Sequence, residues 1–231
     1  MAMRIFETDP AAKPKATFSD DTVGRFHSGK SVDGLPVALS EWRVSTGDPE
    51  VAAAIAQLLG GTPIETDTDR ENYIEVETSV DKVKIVISDA EAITSDLKLW
   101  NGSSLIHHCD GIEFLSPDED KGKPCRCPEL MEDRKAAAKA KRGPSPSISV
   151  SFRLAEDYDL GLFRFQTGSW MLAQVLHEVE NALDKVDGEA LCSLELELVE
   201  YTTKKGRDVS YRKPVIRVLK SWNDAVADLK F

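Results

Sequence analysis

The chain has 231 residues and a mass of 25.5 kDa, which is enough to bury one large core, or one core with a smaller subdomain. With 41% hydrophobic and 30% charged residues it has a globular composition, and its apolar runs are far shorter than the about 20 residues of a membrane-spanning helix. A formal net charge of −11 disfavours general binding to polyanions, so the composition favours a protein partner over bare nucleic acid.

Residues 1–45 are predicted to be an irregular segment that precedes a single α+β domain over residues 46–231. Pro, Lys, Asp and Gly recur there, and the apolar residues are scattered. The N-terminus lacks the apolar stretch of a secretory signal, so we expect a cytoplasmic protein whose clustered cysteines favour a metal site over disulfides. Phe26, Trp42 and Arg43 have residue types common at interfaces and are candidate partner-binding residues; the alternative is that they cover the core.

A helix and four strands are predicted in the next part of the chain. Residues 47–61 indicate a short helix, because Asp48 is a plausible N-cap, Pro49 suits the first helical position and two glycines follow the apolar stripe. Residues 73–88 are rich in β-branched residues on both sides of a polar turn, which predicts a hairpin. Two further strands are expected over 96–100 and 104–109.

The C-terminal half has the clearest patterns. Residues 147–154 alternate strictly between apolar and polar, and 159–168 are predicted to be the hairpin partner. A helix is predicted over 169–186, and two strands follow over 192–202 and 208–219. This β-β-α-β-β order predicts an α+β fold with an antiparallel sheet, a long helix packed on one face and an inserted zinc-stabilised loop.

Residues 105–134 hold three of the four cysteines and two of the four histidines. A structural zinc site takes four nitrogen or sulfur ligands, usually as two close pairs from separate segments. Side chains two residues apart on an extended strand share a face, which favours His107 over His108 as the partner of Cys109. The sequence therefore predicts a zinc-binding insertion at about 105–147 with ligands His107, Cys109, Cys125 and Cys127, and with His108 as the alternative ligand. Free thiols and a labile redox pair are the other interpretations of these cysteines.

Catalytic motifs are not found around these candidate ligands. Nucleotide deaminases carry H-x-E and P-C-x-x-C, whereas this chain has PCRC and no Glu two residues after a histidine. Serine hydrolase, zinc protease and phosphate-loop motifs are not found either. We therefore expect no enzymatic activity and a scaffolding role for the metal. The Ala- and Lys-rich residues 129–142 predict an exposed helix or a mobile arm.

The last predicted hairpin is basic although the chain is acidic. Residues 199–220 carry seven Lys or Arg residues against Glu200 and Asp208. Tyr201, Arg207, Tyr211 and Arg212 have the composition of an interface hot spot, and the alternative is a solvated hairpin surface. Backbone and stacking contacts from this hairpin would also suit a single-stranded nucleic-acid-binding protein with a structural zinc, which is the alternative function.

Long stretches of the chain resemble the recombination directionality factors of Streptomyces phages. The resemblance lies in RIFETDP, FSDDTVGRFHSGKSVDGLPVALSEWRVSTGDP, LIHHCDGIEFLSPDEDKGKPCRCP and LELVEYTTKKGRDVSYRKPVI, and it spans nearly the whole chain. It implies a phage-encoded protein of the bacterial cytoplasm that binds a large serine integrase at its zinc-containing DNA-binding region and coiled coil. Such a factor switches the integrase from integration to excision (attL × attR), while the integrase performs the chemistry. It is not expected to recognise a DNA sequence itself.

Overall fold

The structure is a computed structural model that describes residues 22–32, 35–68, 70–203 and 206–228. Twelve strands in this part of the chain form one branched sheet, which four helices accompany. The strands are β1 (Gly24–Val32), β2 (Leu35–Thr46), β3 (Pro63–Glu65), β4 (Ile74–Glu77), β5 (Lys82–Ile87), β6 (Ile93–Asn101), β7 (Ser104–Cys109), β8 (Phe114–Ser116), β9 (Ser145–Leu154), β10 (Phe163–Thr167), β11 (Ala190–Thr202) and β12 (Asp208–Ser221). The helices are α1 (Pro49–Leu59), α2 (Met131–Lys139), α3 (Trp170–Leu183) and α4 (Trp222–Asp228). The predicted mixed α+β class is confirmed.

Strand β9 is the junction of the sheet. The main path runs β12-β11-β5-β9-β10-β1-β2-β4-β3, and β6, β7 and β8 branch from it. Along one edge of β9, residues 145–150 pair with β6 and residues 153–154 pair with β5, while β10 lies along the other edge. Alternate residues of β9 are buried throughout its length, which fits a strand paired on both sides. The branch through β6 carries the candidate metal ligands away from the main sheet.

The sheet is not purely antiparallel, which corrects one part of the predicted fold. Strands β1 and β10 pair in parallel, with Phe26 beside Phe165, whereas the other strand pairs in the described residues are antiparallel. A parallel pair joins strands that are far apart in the sequence, and local alternation carries no information about such a partner. No helix in the described part of the chain has the length and apolar character needed to cross a bilayer.

The prediction of an irregular segment over residues 1–45 is wrong for residues 24–32 and 35–45, which lie in β1 and β2; residues 1–21 lie outside the described part of the chain. Phe26 and Trp42 are 1% and 0% exposed, so the prediction that they contact a partner is also wrong. The Phe26 ring lies 5.8 Å from Trp42 and 5.3 Å from Phe152, both edge-on, and the Trp42 indole N–H donates to the Asp81 carbonyl at 3.0 Å. Polar residues alternate with these aromatics, which is why the segment resembled a tail.

The predicted hairpin over 73–88 is wrong in its pairing, although both strands exist. Strand β4 pairs with β2 and β3, and β5 pairs with β11 and β9. After β4, the Thr78 hydroxyl donates to the Trp42 carbonyl at 2.8 Å, and the Ser79 amide donates to the Leu59 carbonyl at 2.9 Å. These bonds hold the connection against α1 and β2, so it does not close a tight turn.

Several local predictions are confirmed. Asp48 caps α1 by accepting from the Glu50 amide at 2.8 Å, and Ser169 caps α3 by accepting from the Leu172 amide at 3.2 Å. The hairpins β9–β10 and β11–β12 form as expected, and β6 and β7 pair across the turn at 102–103. Helix α3 contributes four buried residues to the core, namely Leu172, Leu176, Val179 and Leu183. Helix α4 was not predicted.

Replacing Phe26 with alanine should destabilise the fold by about 3–5 kcal/mol, because it leaves a cavity among packed aromatic rings. Urea unfolding followed by far-UV circular dichroism measures this change. Tyr201→Ala is the matched control: this side chain is 51% exposed, and its loss should cost within about 0.5 kcal/mol. Equal destabilisation by the two substitutions would contradict the assignment of Phe26 to the core.

Candidate metal centre

The first ligand pair lies on β7, in the branch of the sheet. His107 is opposite Leu99 of β6, and Cys109 is opposite Leu97. Positions two apart on a strand share a face, so the His107 and Cys109 side chains point the same way. Strand β8 pairs with the other edge of β7 and brings the Phe114 ring to 4.8 Å from the His107 ring. The hairpin therefore fixes half of the site through its backbone pairing alone.

The second pair, Cys125 and Cys127, meets the first. The donor atoms of His107, Cys109, Cys125 and Cys127 all lie within 4.8 Å of one another. The His107 Nε2 atom is 3.1 Å from Cys109 Sγ and 3.4 Å from Cys127 Sγ, and the two sulfurs are 3.7 Å apart. Tetrahedral coordination with bonds of about 2.0–2.3 Å separates ligand atoms by about 3.3–3.8 Å. The four donor atoms lie near these separations and could hold a metal ion.

His108 does not join this cluster. Its Nδ1 atom lies 2.9 Å from the Ser116 hydroxyl, and its Nε2 atom lies 3.1 Å from a carboxylate oxygen of Asp96. These bonds link β6, β7 and β8 on the face opposite to the sulfurs. Of the two histidines considered from the sequence, the structure places His107 in the cluster.

A compact loop carries the chain from the first pair to the second. One Asp110 carboxylate oxygen accepts from the amides of Ile112 and Glu113 at 2.7 and 2.8 Å, and these bonds hold the pKa of Asp110 below its usual value. The Cys125 amide then donates to the Ile112 carbonyl at 2.8 Å. Arg126, between the two cysteines, has a φ of 57°. This left-handed conformation costs a non-glycine residue about 1–2 kcal/mol, which ligand bonds on both sides can offset.

Burial shifts the pKa values of three candidate ligands towards their neutral forms. Burial raises the pKa of the Cys109 thiol to about 12, and burial is also the largest cause of the raised pKa of Cys127. Burial lowers the pKa of His107, which keeps the ring neutral and able to act as a ligand. The raised pKa values of Cys109 and Cys127 favour the protonated thiols when no metal is bound. A metal ion reverses this preference, because it stabilises the thiolates that coordinate it.

Arg134 joins α2 to the ligand loop. Its Nε donates to the Pro128 carbonyl at 2.5 Å, and its Nη2 donates to the Gly111 carbonyl at 2.9 Å. Gly111 has a φ of 101°, and a Cβ added there would lie 2.6 Å from the Arg134 guanidinium. The glycine therefore meets two needs, a left-handed backbone and space for the arginine. Sequence patterns alone did not indicate this contact.

Residues 100–142, here called the metal-held unit, have almost no apolar core. The only buried hydrophobic residues in this range are Cys109 and Cys125, both of them candidate ligands. Helix α2 has no buried residue at all. A segment that buries so little apolar surface needs another source of stability, and a metal site supplies one in many small domains.

The residues predicted to bind a partner are scattered in the structure. Tyr201 and Arg207 are exposed near the end of the β11–β12 hairpin. Tyr211 is half-buried and its hydroxyl donates to the Met171 sulfur at 3.3 Å, while Arg212 donates to the Asp81 carboxylate at 2.8 Å. Arg43 binds the Glu75 carboxylate at 2.5 Å. Partner binding by Arg43, Tyr201, Arg207, Tyr211 and Arg212 stays a prediction.

The β11–β12 hairpin extends beyond the sheet. Strand β5 pairs with β11 only as far as Glu195, so residues 196–202 have β12 as their only strand partner in the described part of the chain. Residues 196–202 and 208–214 are here called the hairpin arm. Leu198 and Tyr201 are 47% and 51% exposed on it. Leu196 is buried at the base of the arm, and Tyr211 and Arg212 contact Met171 and Asp81. Among the described residues, the outer part of the ribbon has no third strand beside it, which leaves its side chains available to another surface.

A polar cleft of about 840 Å³ lies over β1, β2 and β4. Burial, together with the nearby cations Arg43, Arg25 and Arg70, lowers the pKa of His27 to about 4. The Glu75 and Glu77 carboxylates bind Arg43 and Lys30 at 2.5 and 2.9 Å. Much of the cleft's charge is thus paired within the chain, and the cleft lies apart from the cysteine cluster.

A family model described as Gp3-like, recombination directionality factor-like, matches residues 23–219. The chain belongs to this family. The matched range includes the four candidate ligands, helix α2 and the hairpin arm, so these features lie within the family's own region. The match confirms the resemblance to recombination directionality factors that the sequence shows. No solved structure matches the chain.

Replacing His107 with alanine should abolish stoichiometric metal binding, because it removes one of four donors. His108→Ala is the matched control in the adjacent position, and it should retain the metal. Inductively coupled plasma mass spectrometry of the purified variants measures the metal content, and thermal melting with and without a chelator measures the linked stability. Retention of the metal by His107→Ala together with its loss from His108→Ala would contradict this ligand set.

Replacing Arg134 with methionine should loosen α2 without removing the metal, because the guanidinium bonds two carbonyls of the ligand loop but is not a ligand. Hydrogen exchange of the amides of residues 131–139 should become faster. Lys135→Met is the control, since Lys135 makes only an ion pair of 3.8 Å with Glu132 within its own helix. Unchanged exchange in Arg134→Met would show that other contacts hold the helix.

Proposed function

We propose that this protein is a recombination directionality factor that binds a phage-encoded large serine integrase and switches it from integration to excision. The observation that carries the proposal is the family match over residues 23–219. The net charge of −11 supports a protein partner, because an acidic adaptor complements a basic DNA-bound enzyme. In this proposal the protein acts in the cytoplasm of the bacterial host and catalyses no reaction itself.

The proposed mechanism is differential binding. A ligand that binds two states of an enzyme equally shifts neither, so the factor must bind the excision-competent arrangement of the integrase more tightly. Coupling of about 1–3 kcal/mol would change the balance of products by about 5- to 150-fold. The integrase's coiled coil and zinc-containing DNA-binding region are the proposed contact. The factor then has no need to recognise a DNA sequence, since the integrase already does so.

We infer that the metal is Zn²⁺ and that its role is structural. Thiolate and imidazole donors in a tetrahedral set suit zinc, and four protein ligands leave no open coordination position for a substrate. Cys109, Cys125 and Cys127 with His107 supply such a set. Elemental analysis of the wild-type protein should therefore find one zinc per chain, and stoichiometric iron or nickel would contradict this.

We propose that the integrase contacts the hairpin arm, which carries partner-binding residues predicted from the sequence. Tyr201 and Arg207 are exposed on it, and aromatic and arginine side chains are the residue types that dominate interface energies. Arg212 lies at the base of the arm, where its bonds to Asp81 and to the Leu196 carbonyl hold β12 to the sheet. Its proposed role is therefore to orient the arm.

The test is a pair of two-plasmid recombination assays with candidate serine integrases. The wild-type protein should suppress attP × attB recombination, promote attL × attR recombination and co-purify with the integrase without DNA. Deleting the integrase's coiled coil should abolish co-purification. Unchanged substrate preference would contradict the proposal. Binding to single-stranded oligonucleotides in place of the integrase would favour the alternative function.

The double variant Tyr201→Ala/Arg207→Ala should weaken integrase binding about tenfold or more if the arm holds hot-spot residues. Leu219→Ala/Lys185→Ala is the control, since it removes an exposed apolar and an exposed cationic side chain outside the arm. Isothermal titration calorimetry measures both. Equal affinities of the two double variants would place the contact elsewhere.

A further inference from the structure

Large apolar side chains of the metal-held unit point outward. Among the described residues the unit holds six of the fourteen exposed large hydrophobic residues. They are Trp100 (55% exposed), Leu105 (38%), Ile106 (57%), Ile112 (74%), Leu130 (67%) and Met131 (36%). Single exposed apolar residues are ordinary on a protein surface, whereas a segment that exposes several of them and buries almost none is a candidate interaction site.

Three of these side chains belong to the segments that Arg134 joins. Ile112 follows Gly111, whose carbonyl accepts from Arg134, and its own carbonyl accepts from the Cys125 amide. Leu130 and Met131 begin α2 just after Pro128, which also accepts from Arg134. The cysteine cluster and this arginine thus fix the backbone of all three residues. A backbone that is already ordered lowers the entropic cost of binding a partner.

Helix α2 and the three residues after it carry a run of positive charge. Residues 134–142 contain five Lys or Arg residues and no Asp or Glu, in a chain with a net charge of −11. Lys139, Lys141 and Arg142 are exposed, and no carboxylate of the described residues forms an ion pair with them. Lys141 has a φ of 56°, a conformation that favours glycine at a helix end. A side chain at this backbone conformation costs stability relative to glycine.

We propose that the metal-held unit is a docking surface for a protein partner with an apolar centre and a carboxylate rim. The apolar part is Ile112, Leu130 and Met131, and the cationic part is Lys139, Lys141 and Arg142. Resting on the proposed function, the partner is the serine integrase, and this surface is a second contact in addition to the hairpin arm. Duplex DNA would satisfy the cations but would leave Ile112 and Leu130 without apolar surface to bury against. A protein surface satisfies both parts.

The test uses the full chain, loaded with its metal, and the integrase that co-purifies with it. Ile112→Ser/Leu130→Ser should weaken binding at least tenfold in the absence of DNA. Ile64→Ser/Leu219→Ser is the matched control, because these side chains are 61% and 50% exposed on β3 and β12, and it should change binding less than twofold. Metal content and melting temperature should be the same for both double variants. Equal metal content and melting temperature would show that weaker binding reflects a lost contact and not unfolding.

The cationic part has its own matched pair. Lys139→Gln/Arg142→Gln should slow association with the integrase at low salt, and the difference from wild type should shrink as salt rises. Lys84→Gln/Lys185→Gln removes the same charge from exposed positions elsewhere and should have little effect. Stopped-flow fluorescence measures the association rates.

Each alternative outcome overturns the proposal in a recognisable way. If wild type binds the integrase and Ile112→Ser/Leu130→Ser binds equally well, the proposed function stands and this surface does not. If the isolated protein forms dimers that the same double variant disrupts, the surface pairs two copies of this chain. If a random 30-base-pair duplex binds wild type but not Lys139→Gln/Arg142→Gln, and integrase binding is unchanged, the surface contacts DNA. Failure of wild type to bind any candidate integrase removes the proposed function itself.

Discussion

The convergence of one histidine and three cysteines is the constraint on which the metal-held unit depends. Within residues 100–142 the only buried hydrophobic side chains are Cys109 and Cys125, so no apolar core holds this excursion in place. Strand β7 supplies one ligand pair through its two-residue periodicity, and the loop after Asp110 returns the second pair to the same point. Ligand bonds of this kind close a loop whose ordering would otherwise oppose folding.

The branch that carries the metal-held unit is joined to the main sheet through β9. The first half of this strand pairs with β6, and its last two residues pair with β5, so one strand belongs both to the main sheet and to the branch. On the main-sheet side the core is conventional, with Phe26, Trp42 and Phe165 packed edge-on. Apolar packing stabilises the main sheet, whereas the branch has four converging donor atoms that would stabilise it on binding a metal. The main sheet and the branch are joined by the backbone hydrogen bonds of β9.

The difference between a well-packed main sheet and a branch with little apolar core matters for the proposed role as an adaptor. The metal-held unit has few apolar residues in a core and exposes others, such as Ile112 and Leu130, on its surface. The hairpin arm is a second projection, formed where β11 and β12 continue past the end of β5. Under the proposed function, the two projections would contact two separate parts of the integrase. Both projections lie within the region that the family shares.

The sequence by itself determined the features that depend on neighbours along the chain. Alternation predicted β9 and β11, caps predicted α1 and α3, and residue types with their spacing predicted the four ligands. The resemblance of long sequence stretches indicated the family. The tertiary structure alone decided what depends on residues far apart: that Phe26 and Trp42 are buried, that β4 and β5 pair with different strands, and that β1 lies parallel to β10. It also decided between the two histidines, because Asp96 and Ser116 bind His108 from neighbouring strands. The physical reason is the same in each case. Local patterns fix the faces of a strand, whereas its partner is chosen by burial and hydrogen bonding across the whole sheet.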